Sequence, residues 1–231
     1  MLESIAFIPD GNRRYAEKEG ISFEESYNKG VQKFWSVLEW LSKYSSIKTC
    51  TFYAFSIKNF DRSKNELNTL MRIFEEQLVK AINAEIDSDK EVGIKFIGRT
   101  DLFSPKLREG MKKLEEKTSN YSDRVVYLAL GYDGQSEIVD ASKKFAKDVL
   151  NGVIDVDSLT PQNFSKYLYS DVKFPDLIVR TSNEHRLSGF LTYQSSYSEL
   201  AFLNKFWPEV SESDIDRVVK DFEERNRRFG K

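Results

Sequence analysis

Three short polar clusters hold the residues of this chain that could do chemistry. Asp10-Gly11-Asn12-Arg13-Arg14 is the first, Ser56-Ile57-Lys58-Asn59-Phe60-Asp61-Arg62 the second, and Arg180-Thr181-Ser182-Asn183-Glu184-His185-Arg186-Leu187-Ser188 the third. Guanidinium groups combined with at least one carboxylate suit diphosphates. Arginine presents a planar fork that bonds phosphate oxygens in pairs, and its charge persists at any working pH. Gly11 would let backbone amides approach a phosphate closely, and a helix starting after it would offer its positive end. Asp10 is a hard oxygen donor of the kind Mg²⁺ takes, one or two carboxylates joining the substrate phosphates in its shell. Each cluster alone has a plainer explanation, since Asp-Gly-Asn is a common turn and paired arginines commonly sit in solvent. Their placement after predicted strands separates them from that background.

The elements that must position them alternate along the chain. Residues 5–8 read as a strand that runs into the turn-forming Pro9-Asp10-Gly11-Asn12. Ser22-x-x-Glu25 reads as a capping box, followed by Tyr27, Val31, Phe34, Trp35, Leu38 and Leu41 at helical spacing. Residues 49–55 form the second predicted strand. Ser63-x-x-Glu66 then opens a helix to about residue 86 with Leu67, Leu70, Met71, Phe74, Leu78, Ala81 and Ile82 on one side. A strand at 92–97, a helix opened by Ser104-Pro105 and a strand at 125–130 continue the pattern. Next come a helix through Ile138, Val139, Ala141, Phe145 and Val149, a short helix from Thr160-Pro161, a strand at 177–179 and a last helix near 213–226. This alternation predicts an α/β fold, a mostly parallel central sheet with helices on both faces, in one domain spanning 1–231. In such sheets ligands bind beyond the carboxyl ends of the strands, where all three clusters fall.

Composition narrows the classes further. With 231 residues, 40% of them apolar, the chain can bury a full core. A net charge of −2 argues against a general nucleic-acid binder, so no nucleic-acid partner is expected. Cys50 is the only cysteine and His185 the only histidine, which excludes an internal disulfide, a cysteine-rich zinc site and, in practice, a His-based triad. No run reaches the roughly 20 apolar residues of a membrane span, and Met1-Leu2-Glu3-Ser4 has no basic leader, so a soluble cytoplasmic protein is expected.

At these clusters the sequence resembles a known family. Ile8-Pro9-Asp10-Gly11-Asn12-Arg13-Arg14-Tyr15-Ala16 resembles the first motif of the cis-prenyltransferases, the family of undecaprenyl and dehydrodolichyl diphosphate synthases. Tyr53-Ala54-Phe55-Ser56 with Asn59-Phe60-x-Arg62 resembles the second. Asp176-Leu177-Ile178-Val179-Arg180-Thr181 and Glu184-His185-Arg186-Leu187-Ser188 resemble the substrate motif, followed in order by Tyr197-Ser198-Glu199-Leu200 and Arg227-Arg228-Phe229-Gly230. Pro9 and Arg13 are closer to archaeal and eukaryotic members than to bacterial ones. The resemblance implies an enzyme that condenses isopentenyl diphosphate in cis onto an allylic primer, farnesyl or geranylgeranyl diphosphate, making a long-chain polyprenyl diphosphate that serves as a lipid carrier precursor for glycosylation. It also implies roles. Asp10 and Glu199 would carry Mg²⁺, and Gly11, Asn12, Arg13, Arg14 and Tyr15 would hold the primer diphosphate. Asn59 with Ser56 would assist at the reacting centre, lined by Phe60 and Arg62, while Arg180, Arg186, Leu187 and Ser188 would bind isopentenyl diphosphate. The helix from Ser63 would wall a hydrophobic tunnel for the product, the C-terminal tail would complete a homodimer partner's site, and the product would leave through a peripheral membrane contact.

The chain departs from the pattern in places. Phe23 and Tyr27 stand where many bacterial members carry an arginine and a histidine against the primer, and Leu130-Gly131-Tyr132-Asp133-Gly134 replaces an Asn-Tyr-Gly-Gly ending. Asp10, Asn59 through a water, and the departing diphosphate are all candidates for the proton acceptor. Competing readings are a non-catalytic partner subunit of a heteromeric synthase, a phosphate-binding enzyme of other chemistry, and a prenyltransferase with a different acceptor. The first would ordinarily lack Asp10, Arg180 and Arg186, all present here. A nucleotide enzyme would ordinarily show a glycine-rich phosphate loop, absent here.

Overall fold

The apolar runs read as strands pair side by side in the computed structural model, which describes residues 1–85 and 91–225. β1 (Ser4–Ile8), β2 (Thr49–Ser56), β3 (Gly93–Ile97), β4 (Val125–Tyr132), β5 (Leu177–Arg180) and β6 (Glu199–Phe202) form one sheet in the order β3-β4-β2-β1-β5-β6. Every pair is parallel, so the sheet is parallel throughout rather than mostly. The strand order reverses at β1, with β2 on one side and β5 on the other. A crevice therefore opens beyond the ends of β1 and β5, where open α/β sheets bind ligands.

Side chains alternate between the two faces. On one face Phe7, Phe52 and Val179 pack against Val37 and Leu41 of α2 (Phe23–Ser42) and Ile215, Val219 and Phe222 of α7 (Glu212–Glu224). The same face continues over β3 and β4, where Leu70 and Leu78 of α3 (Lys64–Asn83) and Leu107, Met111 and Leu114 of α4 (Pro105–Lys117) meet Phe55, Ile94 and Leu130. On the opposite face Ala6, Ala129 and Ile178 carry Val172, Phe190 and Leu191. That covering is tied to α5 (Gly134–Leu150), whose Gly134 N–H donates to Gly189 O at 2.7 Å. Two short helices, α1 (Asn12–Glu19) and α6 (Pro161–Phe164), complete the fold. Among the described residues no helix is long and apolar enough to cross a membrane.

Three readings change. β6 is absent from the predicted strands because it is only four residues long and partly exposed at the sheet edge, its apolar run Leu200-Ala201-Phe202 being too short to stand out. On α5, Val139 is 50% exposed while Glu137 is 1% exposed, so the helix faces the core through a carboxylate that an apolar stripe cannot reveal. The predicted helices run too long: α3 ends at Asn83 and α7 at Glu224, with Ala84 and Arg225 turning to extended backbone, while residues 86 and 226 and the tail Arg227-Arg228-Phe229-Gly230 lie outside the described residues. The helix starts hold: Ser22 and Ser63 accept from Glu25 N–H and Glu66 N–H at 3.1 and 3.3 Å.

α7 is anchored through its first turn. Asp214, nearly fully buried, accepts from Ser211 N–H at 2.9 Å, Lys205 Nζ at 2.7 Å and Arg217 Nη2 at 3.2 Å. Burial pushes its carboxyl up, but the Lys205 and Ser211 bonds outweigh it and hold the group below the usual aspartate range. A depressed folded-state pKa stabilises fully above the unfolded value, roughly 4, and that contribution fades as the pH falls below it. Asp214→Ala should therefore cost about 3 kcal/mol in urea unfolding at neutral pH, with the gap to the parent narrowing in acid.

Candidate active site

Strand register brings the first and third clusters together. Ile8 of β1 lies beside Arg180 of β5, so Asp10 and Arg180 leave neighbouring strand ends. The Asp10 backbone is pinned on both sides: its N–H donates to Thr181 Oγ1 at 2.7 Å, and its carbonyl accepts from Thr181 Oγ1 at 2.7 Å and Trp207 N–H at 3.0 Å. Its carboxylate takes Arg180 Nη2 on one oxygen at 2.8 Å and Arg14 Nη2 on the other at 3.3 Å. Arg14 also donates to Glu184 Oε1 at 3.0 Å, and Glu184 Oε2 accepts from Arg186. Arg180 is 4% exposed and further donates to Ser188 Oγ at 2.8 Å and to the Arg186 carbonyl, leaving its buried Nε unpaired. The result is a continuous chain, Arg186–Glu184–Arg14–Asp10–Arg180–Ser188. Three guanidinium groups face two carboxylates, so the cluster carries surplus positive charge ready for an anion.

Backbone geometry adds to that charge. Gly11 sits at φ 97°, in the left-handed region, and no side chain caps the α1 N-terminus that follows it. The first-turn N–H groups of α1 are the kind of unpaired donors that bind phosphate. A Cβ on Gly11 would lie 2.0 Å from Ser182 Oγ and 2.6 Å from Phe206 Cδ1, so only glycine fits. The loop after β5 is strained as well, with Ser182, Asn183 and Ser188 at φ 73°, 54° and 52°. Such conformations cluster at ligand-binding loops.

Beside this polar rim opens an apolar cavity of about 230 Å³. Asn12, Tyr27, Asn59 and Arg62 line its polar mouth; Val31, Phe34, Phe74 and Leu78 form its walls, and Ile94, Met111 and Leu114 its far end. Ile94 is near the start of β3, so the cavity runs from the carboxyl edge of the sheet towards its amino edge. Arg62 Nη1 donates to Tyr27 Oη at 2.6 Å, and burial raises the phenol's pKa against the opposing pull of Arg62. Asn59 is fixed by its Oδ1, which accepts from Ser56 N–H at 2.9 Å.

Several predicted residues fall elsewhere. Arg13 is exposed on α1, 3.7 Å from Glu17 and 3.9 Å from Glu66, and stays out of the arginine network. Phe60 packs on Phe55 and Phe103 with centroids 4.9 and 5.5 Å apart, behind the cavity wall. Leu187 packs into the core of the opposite face. Tyr15 closes the first turn of α1, its N–H donating to Gly11 O at 2.8 Å. Glu199 starts β6 in register with Leu177 and hence Ile5, and pairs with Arg225 at 3.1 Å. Asp10 lies five residues beyond that level, roughly 16 Å along the strand direction, so one chain does not bring the two presumed metal ligands together. His185 stacks on Phe202 at 4.5 Å and holds its loop. Glu184, which had no assigned role, is the bridge between two arginines; its only sequence signal is its position between Arg180 and Arg186.

Comparison with known proteins decides the family. The family model of undecaprenyl diphosphate synthase matches residues 8–230. The chain belongs to the cis-prenyltransferases. A geranylgeranyl-diphosphate-specific tritrans,polycis-undecaprenyl-diphosphate synthase of Pyrobaculum aerophilum is 42% identical over 98% of this chain and 95% of its own length. A crystal structure of lavandulyl diphosphate synthase from Lavandula x intermedia, in complex with dimethylallyl diphosphate, superposes with a TM-score of 0.92 at 29% identity, covering 100% of this chain and 98% of that one. A probable undecaprenyl diphosphate synthase from Campylobacter jejuni gives 0.81 at 28%, covering 100% and 99%. The motifs read from the sequence thus belong to a cis-prenyltransferase with the six-stranded parallel sheet of its fold. Gly11→Ala tests the rim of this enzyme directly. The variant should remain folded by circular dichroism yet lose prenyl transfer at least about a hundredfold, because displacing Ser182 and Phe206 shifts donors by a sizeable fraction of a bond length.

Proposed function

We propose that this protein lengthens a geranylgeranyl or farnesyl diphosphate primer by adding isopentenyl diphosphate units in cis, yielding a long-chain polyprenyl diphosphate that serves as a glycosylation lipid carrier precursor. The observation that carries the reading is the junction of an arginine-rich rim with an apolar cavity entered past Asn12, Asn59 and Arg62. A prenyl diphosphate is an anion attached to a hydrocarbon chain, and this junction complements both halves. The archaeal relative's stated preference for geranylgeranyl diphosphate supports that primer.

In the reaction the allylic C–O bond breaks, its electron pair leaving with the diphosphate, the isopentenyl double bond forms the new C–C bond, and a proton is lost. Arg14 and the α1 N-terminus would hold the departing diphosphate; Arg180, Arg186 and Ser188 would hold the second. Both carboxylate oxygens of Asp10 are engaged by guanidinium groups, and incoming diphosphates would compete for those arginines and release Asp10. A single released carboxylate beside two diphosphates fits Mg²⁺, which takes few protein ligands when phosphates are present, and no cluster of three His, Cys, Asp or Glu occurs among the described residues. Such an ion would supply charge neutralisation to the leaving diphosphate. A homodimer is part of this reading. Tyr197 and Leu200 stand exposed at β6, the last strand of the sheet among the described residues, a surface a second copy would cover.

Incubation with labelled isopentenyl diphosphate, Mg²⁺ and a panel of allylic primers, followed by sizing of products, should show chain elongation; no product with any primer would refute the reading. Asp10→Ala should lower turnover by roughly 3 kcal/mol of barrier or more, over a hundredfold, and should also lower the melting temperature because it leaves buried Arg180 without its counter-ion, while circular dichroism still reports a folded protein. Arg180→Ala and Arg186→Ala should mainly raise the KM for isopentenyl diphosphate and Arg14→Ala that for the primer, each by about tenfold or more; swapped dependences would overturn the assignment. Deleting residues 227–231 should sharply reduce activity while light scattering still reports a dimer, and full activity would free the tail of any role.

A further inference from the structure

α5 carries a buried carboxylate that the chemistry above leaves unused. Glu137 lies in the helix's first turn, between β4 and the wound segment that follows Ser188. Its Oε1 accepts from Tyr169 N–H at 3.0 Å, and its Oε2 from the Tyr132 hydroxyl and from Gln194 Nε2 at 3.0 Å. The Gln194 amide must turn its NH₂ towards this acceptor, which leaves Gln194 Oε1 buried without a partner. Gln194 is itself 1% exposed, so Glu137 supplies the bond that holds its side chain in the core.

The segment so anchored has unusual backbone. Ser188 and Leu191 take φ of 52° and 46°, conformations that persist in non-glycine residues only where surrounding contacts over-determine them, and Gly189 between them takes φ 80°. Those contacts come in sequence: Tyr53 Oη donates to Ser188 O at 3.3 Å, Gly134 N–H to Gly189 O at 2.7 Å, Phe190 and Leu191 are fully buried, and Gln194 reaches Glu137. At its outer end the segment presents Ser188 Oγ, which accepts from Arg180 Nη1 at 2.8 Å. A path of direct contacts therefore runs from Glu137 through Gln194 and the left-handed turn to the guanidinium of Arg180.

We propose that Glu137, through Gln194, is a positioning residue that sets the orientation of Ser188 and Arg180 for the isopentenyl diphosphate. This rests on the assignment of Arg180 and Ser188 to that substrate. The alternative role is to tether the segment before β5 through Tyr169 N–H, and one substitution separates the two. Gln194→Leu keeps the buried volume and removes the link to the loop, while Glu137 retains Tyr169 and Tyr132.

The experiment measures KM for each substrate separately, together with the melting temperature, on the full chain. Gln194→Leu should raise the KM for isopentenyl diphosphate by about tenfold, with the primer KM and melting temperature nearly unchanged. Glu137→Gln, which keeps an acceptor, should lose less than Glu137→Leu. Combining Gln194→Leu with Ser188→Ala should be no worse than the poorer single variant, since both act on one path. An equal rise in both KM values, additive losses, or losses that follow the melting temperature would overturn the proposal. If the parent protein shows no chain elongation, the proposed reaction falls but the inference is still decided: titration with inorganic pyrophosphate should show about tenfold weaker binding in Gln194→Leu, and unchanged affinity would overturn it.

Discussion

Arg180 is a guanidinium taken almost wholly out of water, and Asp10 is the counter-ion that makes that burial tolerable. Removing one member of such a pair leaves a costly unpaired charge. The pairing also ties the two strand ends that flank the switch in strand order, and much of the remaining site follows from it. Asp10 is held so that Gly11 must take its left-handed turn, α1 starts uncapped, and Arg14 emerges one turn later on the same side. On the other strand Arg180 draws Ser188 inward and so sets the course of the Glu184–Arg186 loop. The network is polarised but incompletely satisfied, with Arg180 Nε and Ser182 Oγ buried and unpaired.

The second constraint is the boundary between that rim and the apolar cavity. Phe34, Phe74, Leu78 and Met111 could have closed on one another as ordinary core, yet a void remains between α2, α3, α4 and the sheet. Interiors pack densely, and an unfilled apolar volume loses contacts on every wall. A hydrocarbon chain entering past Asn59 and Arg62 would restore those contacts, so under the proposed function the tail and the head group would be held by separate physical sources. Lys117 helps hold the frame by donating to Ile82 O at 2.8 Å, fastening the end of α3 to α4.

Much of this was legible in the residues. Buried parallel strands show as continuous apolar runs, so β1, β2 and β4 were plain, and Ser22, Ser63 and Ser104 marked their helices. Asp10, Arg14, Arg180, Arg186 and Ser188 lie together because strand ends in an α/β sheet share one rim. What failed depends on contacts distant in sequence. Arg13 and Arg14 are adjacent and chemically equal, yet helix geometry points one at Glu66 and the other at Asp10. Phe60 looks like a site residue until Phe55 and Phe103 claim it. Glu199 can be placed only once β6 is known to register with β5, and β6 is too short to announce itself. The burial of Glu137 likewise rests on Gln194 and Tyr169, partners 57 and 32 residues away.

The strand order also governs how the chain must fold. β1 sits in the middle of the sheet, but its neighbour β5 lies about 170 residues downstream, as the Asp10–Arg180 bond records. Until that distant segment is made, one edge of β1 is an open row of donors and acceptors, apolar on both faces. Closing so long a loop costs chain entropy before any contact rewards it, which makes such topologies slow to complete and prone to mispairing meanwhile. During synthesis the first three-quarters of the chain can present β1 to β4 with their helices, whereas the arginine-rich rim has no existence until the last quarter docks. The binding crevice thus lies on the seam between the first strand made and one of the last two, so it cannot exist before the chain is nearly complete.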